Sequence, residues 1–273
     1  MKILKFIPAV YVAALAVTVS LRADILFSDN FNAASGFTTD INLKLSIRQT
    51  GTLAPQKWTA YDVSDVSSGS ASLGNPKDSP LSKGPAEDYL FFNKKEQVSL
   101  TGLALSSNNV KGPILISFDM FPGTSGNEDQ WTSFSLTPTI NPGFDVNHSG
   151  FPIQNTPGAF GFLQKGNGEI SIWYGVAMSG GASQDNSTPQ PQPAASGTAT
   201  GSQYSLLLTD TAGTGSAFAG NGTRIKFMNS GNTIGTYDLA VGMSTVYLSF
   251  GSTDLQAGGI DNVLIQTVPN PSK

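Results

Sequence analysis

The chain has 273 residues, of which 12% are charged, and a formal net charge of −4. It contains no cysteine, which excludes disulfide bonds, zinc thiolate sites and cysteine nucleophiles. Acidic residues are in excess and basic residues are scattered along the chain. Nucleic acid and anionic membranes are therefore not expected partners, because both are bound through a basic patch.

The N-terminal residues have the pattern of a secretory signal peptide. Two lysines precede an uncharged, mostly apolar run over residues 6–19, and small residues follow near Ser20 and Ala23. The pattern predicts a signal peptide over residues 1–23 and a protein that is secreted: extracellular, periplasmic or at the cell surface. The apolar run is shorter than the about 20 residues that span a bilayer, and no later segment matches it. We therefore expect no membrane-spanning segment in the mature chain.

The rest of the chain has the composition and patterning of a β-protein. It contains 30 glycines and 16 prolines in all, and no segment after residue 24 keeps a 3.6-residue apolar period over three turns. Short segments with a two-residue alternation recur instead. In chain order, strands are predicted at 25–28, 43–49, 57–62, 89–92, 97–105, 114–121, 131–136, 159–164, 169–176, 204–209, 224–228, 233–239, 246–250 and 260–267. This series of short strands predicts an all-β fold of two stacked antiparallel sheets.

One long segment, residues 179–203, contains no aromatic or large aliphatic residue. Such a segment buries too little surface to offset the entropy of ordering it, so we expect a long flexible loop. The preferred interpretation is a single β-sandwich domain over residues 24–268 that contains this loop, followed by a Pro-rich tail at 269–273. A linker between two domains is the alternative.

Two short motifs, one near each end of the mature chain, resemble known sandwich modules. ILFSDNFN at residues 25–32 resembles the opening strand of concanavalin A-like (laminin-G-like) and galactose-binding-like domains, and GIDNVLI at residues 259–265 resembles their closing strand. The resemblance implies a two-sheet antiparallel jelly-roll sandwich in which the first and last strands lie side by side.

The last residues resemble a sorting signal. VPNPS at residues 268–272 is similar to the Val-Pro-Glu-Pro-Ser start of the signal of PEP-CTERM exported proteins, with Asn270 in place of the glutamate. The apolar helix and arginine tail of that signal do not follow. A frayed Pro-rich terminus is the alternative interpretation.

Two aspartates near the ends of the mature chain are candidate calcium ligands. Asp29 and Asp261 come close together if the end strands pair, and calcium takes 6–8 oxygen ligands, including carboxylates and backbone carbonyls. The resemblance to sandwich modules implies a structural Ca²⁺ at such a place. The alternative is that these carboxylates accept hydrogen bonds from backbone N–H groups at strand ends.

The familiar catalytic patterns are missing. His148 is the only histidine and lies in a Gly- and Pro-rich stretch, and the chain has no G-x-S-x-G motif. Laminarinase-like glucanases of the concanavalin A-like fold carry an E-x-D-x-x-E strand, whereas Glu169 is followed by serine at the aspartate position. No catalytic residue is assigned.

Aromatic residues provide the candidate ligand site. Strand alternation predicts Trp131, Trp173 and Tyr247 on a polar, solvent-facing side of their strands, with Arg224 or Lys226 on the same polar side. The C–H face of a sugar ring stacks on such aromatic rings, so the pattern indicates a polysaccharide or glycan as ligand. The alternative is that the rings pack under loops in a satellite cluster.

We therefore predict an exported, non-catalytic, lectin-like carbohydrate-binding protein. A structural or adhesive cell-surface protein without a small ligand is the alternative, and a polysaccharide-degrading enzyme ranks last. The oligomeric state is left open by the sequence.

Overall fold

The computed structural model describes residues 23–31, 58–62, 72–74, 89–91, 96–100, 110, 112–121, 131–137, 159–166, 168–175, 182–185, 202–211, 222–239, 247–252 and 258–269. Within these residues the chain is all-β, with every strand in one of two antiparallel sheets and no helix. The predicted fold class is confirmed. The search of the described residues for a helix able to span a membrane found none.

The chain order of the strands is close to the predicted one. The strands are β1 Ile25–Asp29, β2 Trp58–Asp62, β3 Ser72–Gly74, β4 Tyr89–Phe91, β5 Glu96–Leu100, β6 Ile114–Phe121, β7 Trp131–Thr137, β8 Phe160–Lys165, β9 Ile170–Gly175, β10 Ala182–Asp185, β11 Ser202–Asp210, β12 Thr223–Asn229, β13 Asn232–Leu239, β14 Tyr247–Ser252 and β15 Gly259–Thr267. The predicted signal peptide up to residue 22 and the predicted strand at 43–49 lie outside the described residues. Strand β3 was not predicted.

The two sheets form a jelly-roll sandwich. One sheet has eight strands in the order β13-β12-β11-β6-β15-β4-β3, with β1 also paired to β15. The other has seven strands in the order β10-β9-β8-β7-β14-β5-β2. Because some neighbours in each sheet are distant in the chain, such as β6 beside β15 and β7 beside β14, residues from several segments meet on each face.

The core lies between the sheets and is rich in phenylalanine. Phe118 of β6 packs against Phe134 of β7 and Phe250 of β14, with ring centroids 4.8 and 4.9 Å apart. Phe162 of β8 meets Phe227 of β12 at 4.5 Å. All five side chains are at most 1% exposed. Burial of each ring stabilises the fold by about 1.5–3 kcal/mol, so the alternation of these strands is enforced by the core.

The two ends of the described chain meet on the eight-stranded sheet. Strand β1 pairs antiparallel with β15, with Phe27 opposite Ile265 and Asp29 opposite Val263. The start of β15, at Gly259, pairs with β4 instead. Strands β1 and β4 therefore follow one another along the same edge of β15, while β6 occupies its other edge. This pairing of the end strands is the one that the resemblance implied.

The segment predicted as a flexible loop contains a strand. Residues 182–185 form β10, which pairs with β9 at the edge of the seven-stranded sheet. Backbone hydrogen bonds, which need no apolar side chain, hold β10, and composition alone therefore did not reveal it. Residues 186–201 lie outside the described part of the chain. Strands from before and after them pair directly, since β11 is hydrogen-bonded to β6.

Candidate functional site

The outward side of the seven-stranded sheet is lined with small hydroxyl side chains. Alternation along β7, β8, β9 and β14 places the phenylalanines inside and the residues between them outside. We call the resulting surface the serine face; its members are Ser133, Ser135, Gly161, Ser171, Ser249 and Gly251. Ser249 is opposite Ser135 and Ser135 is opposite Gly161, while Leu163 of β8 separates Ser133 from Ser171 on the same side.

The serine face is covered. Ser133 and Ser135 are each 2% exposed, and Ser171 and Ser249 are 3% exposed. Every residue of β7 is buried, on both sides of the strand. The Ser133 hydroxyl donates a hydrogen bond to the carbonyl oxygen of Gly251 at 3.3 Å. The central strands therefore form a layer that is enclosed on both faces.

The three predicted stacking aromatics all belong to this sheet, but they differ in exposure. Trp131 of β7 is only 8% exposed, so the prediction that it faces solvent is wrong. A two-residue period reports which face a side chain takes and carries no information about what covers that face. Tyr247 of β14 is half-buried and lies opposite Thr137. Trp173 is placed opposite Gly161 by the backbone, and its side chain lies outside the described residues.

Arg224 does not join the aromatic residues. It lies on β12 of the other sheet, where the next residue, Ile225, is fully buried, so Arg224 is on the outside of the opposite face of the sandwich. The expectation that it lies on the same polar side as the aromatics is wrong, because alternation within a strand does not reveal the sheet to which that strand belongs. Its Nε and Nη2 atoms donate to Asp238 at 2.7 and 2.8 Å. These hydrogen bonds raise the pKa of Arg224 and lower that of Asp238.

An ion pair lies at one end of the outward side of the seven-stranded sheet. Lys165 of β8, opposite Trp131, places its Nζ atom 2.9 Å from Oε2 of Glu169. The backbone N–H of Lys165 donates to the carbonyl of Glu169 at 2.8 Å, and Gly168 donates back to the carbonyl of Lys165 at 2.8 Å. Gly168 has a φ of 91°, which favours glycine. The tight turn between β8 and β9 thus fixes both charged residues.

Both carboxylate oxygens of Asp29 accept hydrogen bonds from other residues of the protein. Its Oδ2 accepts from the indole Nε1 of Trp58 at 2.8 Å, and its Oδ1 accepts from the backbone N–H of Phe31 at 2.8 Å. Phe31 has a φ of 53°, and the Asp29 carboxylate holds the chain in this turn. Asp29 is 4% exposed.

Asp261 belongs to a separate polar cluster with Asp119, which the sequence did not single out. The two residues are opposite one another on β15 and β6 and are 2% and 5% exposed. Asn262 bridges them: its Nδ2 donates to Asp119 at 2.9 Å and to Asp261 at 3.3 Å. Its backbone N–H donates to Asp261 at 2.7 Å, and its φ is 51°. The sequence does contain a sign of this cluster: Asp119 lies between the core residues Phe118 and Met120, so alternation places it on the face of β6 that points away from the core.

The described residues contain no group of three or more histidine or carboxylate side chains suited to a metal ion. Asp29 lies opposite Val263, two residues beyond Asp261 on β15, and each aspartate is hydrogen-bonded within its own cluster. The structural Ca²⁺ stays a prediction. His148 lies outside the described residues.

Neither a protein-family model nor a curated protein sequence matches the chain. Among solved structures, the chain is similar to the carbohydrate esterase vb_24B_21 of Shiga toxin-encoding bacteriophage phi24B, with 10% identity, a TM-score of 0.48, and coverage of 90% of this chain and 99% of that one. The carbohydrate recognition domain of Emp46p in its metal-free form has 14% identity, a TM-score of 0.42 and coverage of 76% and 87%. The endo-1,3-β-glucanase of Streptomyces sioyaensis has 11% identity, a TM-score of 0.44 and coverage of 89% and 96%. At this level of similarity no ligand or activity is transferred to this chain.

Proposed function

We propose that the protein is an exported carbohydrate-binding protein and that the glycan binds on the outward side of the seven-stranded sheet, at Tyr247. The observation that carries the proposal is the combination on this side of a half-buried aromatic ring with the neighbouring hydroxyl side chains of Thr137, Ser135 and Ser249. A sugar ring offers an apolar C–H face to the ring and hydroxyls to its polar neighbours.

The polarity of the serine face supports this assignment. A buried hydroxyl without a partner costs about 1–3 kcal/mol, so a sheet that evolved only to be covered by an apolar layer would present Val, Ile or Leu on that side. Here the outward positions opposite one another on β7 and β14 are Ser135 and Ser249, and Thr137 stands opposite Tyr247. This side is therefore chemically suited to a polar, hydroxyl-bearing partner.

Tyr247 is the residue at which a ligand reaches this side. The serines are 2–3% exposed and Trp131 is 8% exposed, whereas the phenol of Tyr247 retains intermediate exposure. Its neighbours Thr137 and Ser249 are 0% and 3% exposed and make the surroundings of the ring polar. The proposed contact is one sugar stacked on Tyr247.

The experiment is affinity electrophoresis or pull-down against a panel of soluble and insoluble polysaccharides. Stacking on an aromatic ring contributes about 1 kcal/mol, so Tyr247→Ala should weaken binding by about fivefold, while Tyr247→Phe should retain most of it. Arg224→Ala, on the opposite sheet, is the matched control and should bind as the native protein does. Equal losses for Tyr247→Ala and Arg224→Ala would remove the site from this side of the sandwich.

Export is tested separately. Mass spectrometry of protein recovered outside the cytoplasm should give a chain that begins at Asp24. Recovery of the intact chain in the cytoplasm alone would contradict it.

A second candidate function is a structural or adhesive surface protein without a small ligand, and the burial of Trp131 favours it. This candidate predicts that no polysaccharide of the panel retains the protein. It also predicts that adhesion or assembly is unaffected by Tyr247→Ala. Retention that depends on Tyr247 would decide against it.

A further inference from the structure

We propose that the core contains a binding site for an ordered water molecule, between the two sheets, where the water bridges the hydroxyl of Thr132 and the side-chain amide of Gln164. The site is separate from the outward side of the sheet and does not depend on glycan binding. Its basis is a set of buried polar side chains on β7, β8 and β11.

Thr132 and Gln164 point into the core side by side. Thr132 of β7 lies directly opposite Gln164 of β8, and each alternates with the core rings of its strand, since Phe134 and Phe162 are the next pair on the same face. The two polar side chains are 0% and 1% exposed. Opposite side chains of an antiparallel pair have Cβ atoms about 4.5–5.5 Å apart. One small molecule can therefore contact both.

The two side chains have unused hydrogen-bonding capacity. Among the residues that the structure describes, Oγ1 of Thr132 and Oε1 of Gln164 have no hydrogen-bond partner, which means that they do not bond to each other either. Buried polar groups in folded proteins are almost always paired, with protein or with ordered water. A water molecule can accept from the Thr132 hydroxyl and donate to the Gln164 amide oxygen, and it has further capacity for a third partner.

Ring contacts across the core identify the part of the other sheet that faces this pair. On β8, Phe160 contacts Tyr237 at 5.3 Å, and Phe162 contacts Tyr204 at 4.7 Å. The row of the eight-stranded sheet that contains Tyr237 crosses β11 near its end, whereas Tyr204 lies near its beginning. Gln164 is the next inward residue of β8 after Phe162. It therefore lies beyond the Tyr204 ring, toward the start of β11.

The phenol of Tyr204 is a further buried oxygen at this end of the core. The residue is fully buried, and within the described part of the chain its hydroxyl completes no hydrogen bond of acceptable geometry. Burial raises the pKa of the phenol, and the nearby hydroxyl of Ser202, the first residue of β11, partly lowers it. The phenol oxygen is thus directed toward the start of β11, on the side of Gln164. It is the candidate third partner of the water.

The change in side-chain size along β7 is consistent with room for a water molecule. In the layer next to Thr132, the rings of Phe118, Phe134 and Phe162 fill the space between the sheets with centroids 4.8–6.3 Å apart. Face-to-face sheets keep a spacing of about 10 Å, so the step from Phe134 to Thr132 on β7 reduces the volume that this strand fills. A water molecule occupies about 30 Å³ in the liquid.

The first test is a crystal structure at a resolution that shows individual water molecules. We expect a water oxygen within about 2.7–3.2 Å of both Thr132 Oγ1 and Gln164 Oε1. Thr132→Val should lose this water, and Thr132→Ser, which keeps the hydroxyl, should retain it. A direct hydrogen bond between the two side chains, or another side chain in the place of the water, would overturn the proposal.

The second test uses thermal unfolding and the sign of the change. Thr132→Val preserves the shape of the side chain, so loss of a hydroxyl that bonds to an ordered water should lower the Tm by about 2–4 °C. Removal of a buried hydroxyl without a partner would instead leave the Tm unchanged or raise it, and that result would contradict the proposal.

Gln164→Met completes a double-mutant cycle with Thr132→Val. Since both side chains hold the same water, the double variant should lose less than the sum of the two single losses. Strictly additive losses would show that the two residues share no water.

Both variants lie inside the core, so polysaccharide binding by folded Thr132→Val should equal that of the native protein. Failure of the glycan proposal therefore leaves this one unaffected.

Discussion

The indole N–H of Trp58 donates a 2.8 Å hydrogen bond to the carboxylate of Asp29, and this bond joins the two sheets of the sandwich. Trp58 lies on β2 of the seven-stranded sheet and Asp29 on β1 of the eight-stranded sheet. The indole ring also packs against Phe27, Phe31 and Phe250 at centroid distances of 5.7, 5.6 and 6.2 Å. An aromatic cluster thus surrounds the buried indole that donates this bond, and the strength of the bond to Asp29 is measurable.

We predict that this hydrogen bond contributes to folding by the amount usual for a bond to a charged group, about 1.5–3 kcal/mol. Trp58→Phe removes the donor, Asp29→Asn removes the acceptor charge, and the double variant completes a double-mutant cycle in urea unfolding. The free energies of unfolding should show a coupling above about 1 kcal/mol. Additive losses would mean that the two residues stabilise the sheets independently.

We predict that any side chain at Gly235 destabilises the fold because it would collide with the ring of Tyr237. A Cβ atom on Gly235 would lie 2.5 Å from the Tyr237 hydroxyl oxygen and 2.8 Å from Cζ. The Tyr237 ring has little freedom to move because it packs against Phe160 and Tyr174, at 5.3 and 5.1 Å. Gly235→Ala should therefore destabilise the protein by about 1–3 kcal/mol.

The control for Gly235→Ala is the same substitution in a Tyr237→Leu background. Leucine is shorter than the phenol and does not reach the new methyl group, so the additional cost of alanine should fall to a few tenths of a kcal/mol, the scale of propensity differences. Thermal unfolding of the four proteins provides the comparison. An unchanged cost would assign the effect to the backbone at Gly235 instead of the ring.

Tyr204 should limit stability in alkaline solution. Its side chain is fully buried, and burial raises the pKa of its phenol well above the usual value near 10, although the Ser202 hydroxyl partly lowers it. Below pH 10 both the folded and the unfolded states keep the phenol proton, so the contribution of Tyr204 to the free energy of unfolding does not change with pH. Above it the unfolded state releases the proton first, so stability falls as the pH rises, by about 1.4 kcal/mol for each pH unit.

Tyr204→Phe tests directly whether ionisation of Tyr204 causes this loss of stability. The variant lacks the titrating group, so its free energy of unfolding should fall less steeply than that of the native protein between pH 10 and 11. Denaturant unfolding at a series of alkaline pH values gives the slopes. Parallel pH profiles for the two proteins would assign the alkaline loss to other groups.

The sequence predicts the strands of the core well and the shortest edge strands poorly. The alternation of Ile114, Ile116, Phe118 and Met120 correctly placed β6 and its buried side, because burial of one face fixes a two-residue period. The pairing of β1 with β15 followed from a motif resemblance. By contrast, β10 was missed because a short edge strand held by backbone hydrogen bonds needs no apolar side chains.

The candidate site was less accessible to prediction. Alternation correctly assigned Trp131 and Tyr247 to the side opposite the core, but the burial of Trp131 depends on what covers that side. Arg224 was grouped with them because period-two reasoning cannot distinguish two sheets. The partners of Asp261 were also hidden, since its contact with Asp119 joins residues 142 positions apart through strand register alone.

That contact leads to the last prediction, which concerns Asn262. Its Nδ2 group donates to two buried carboxylates, so Asn262→Asp would replace a shared donor by a third negative charge. Loss of the hydrogen bonds and the added repulsion should destabilise the fold by about 3 kcal/mol or more at neutral pH.

Asn262→Gly separates the two effects. Glycine adopts the φ of 51° at this position without strain, and it removes the amide without adding charge. It should therefore lose less stability at neutral pH than Asn262→Asp does. Urea unfolding of the three proteins at pH 7 gives the comparison. Equal losses for the two variants would show that the added negative charge does not contribute.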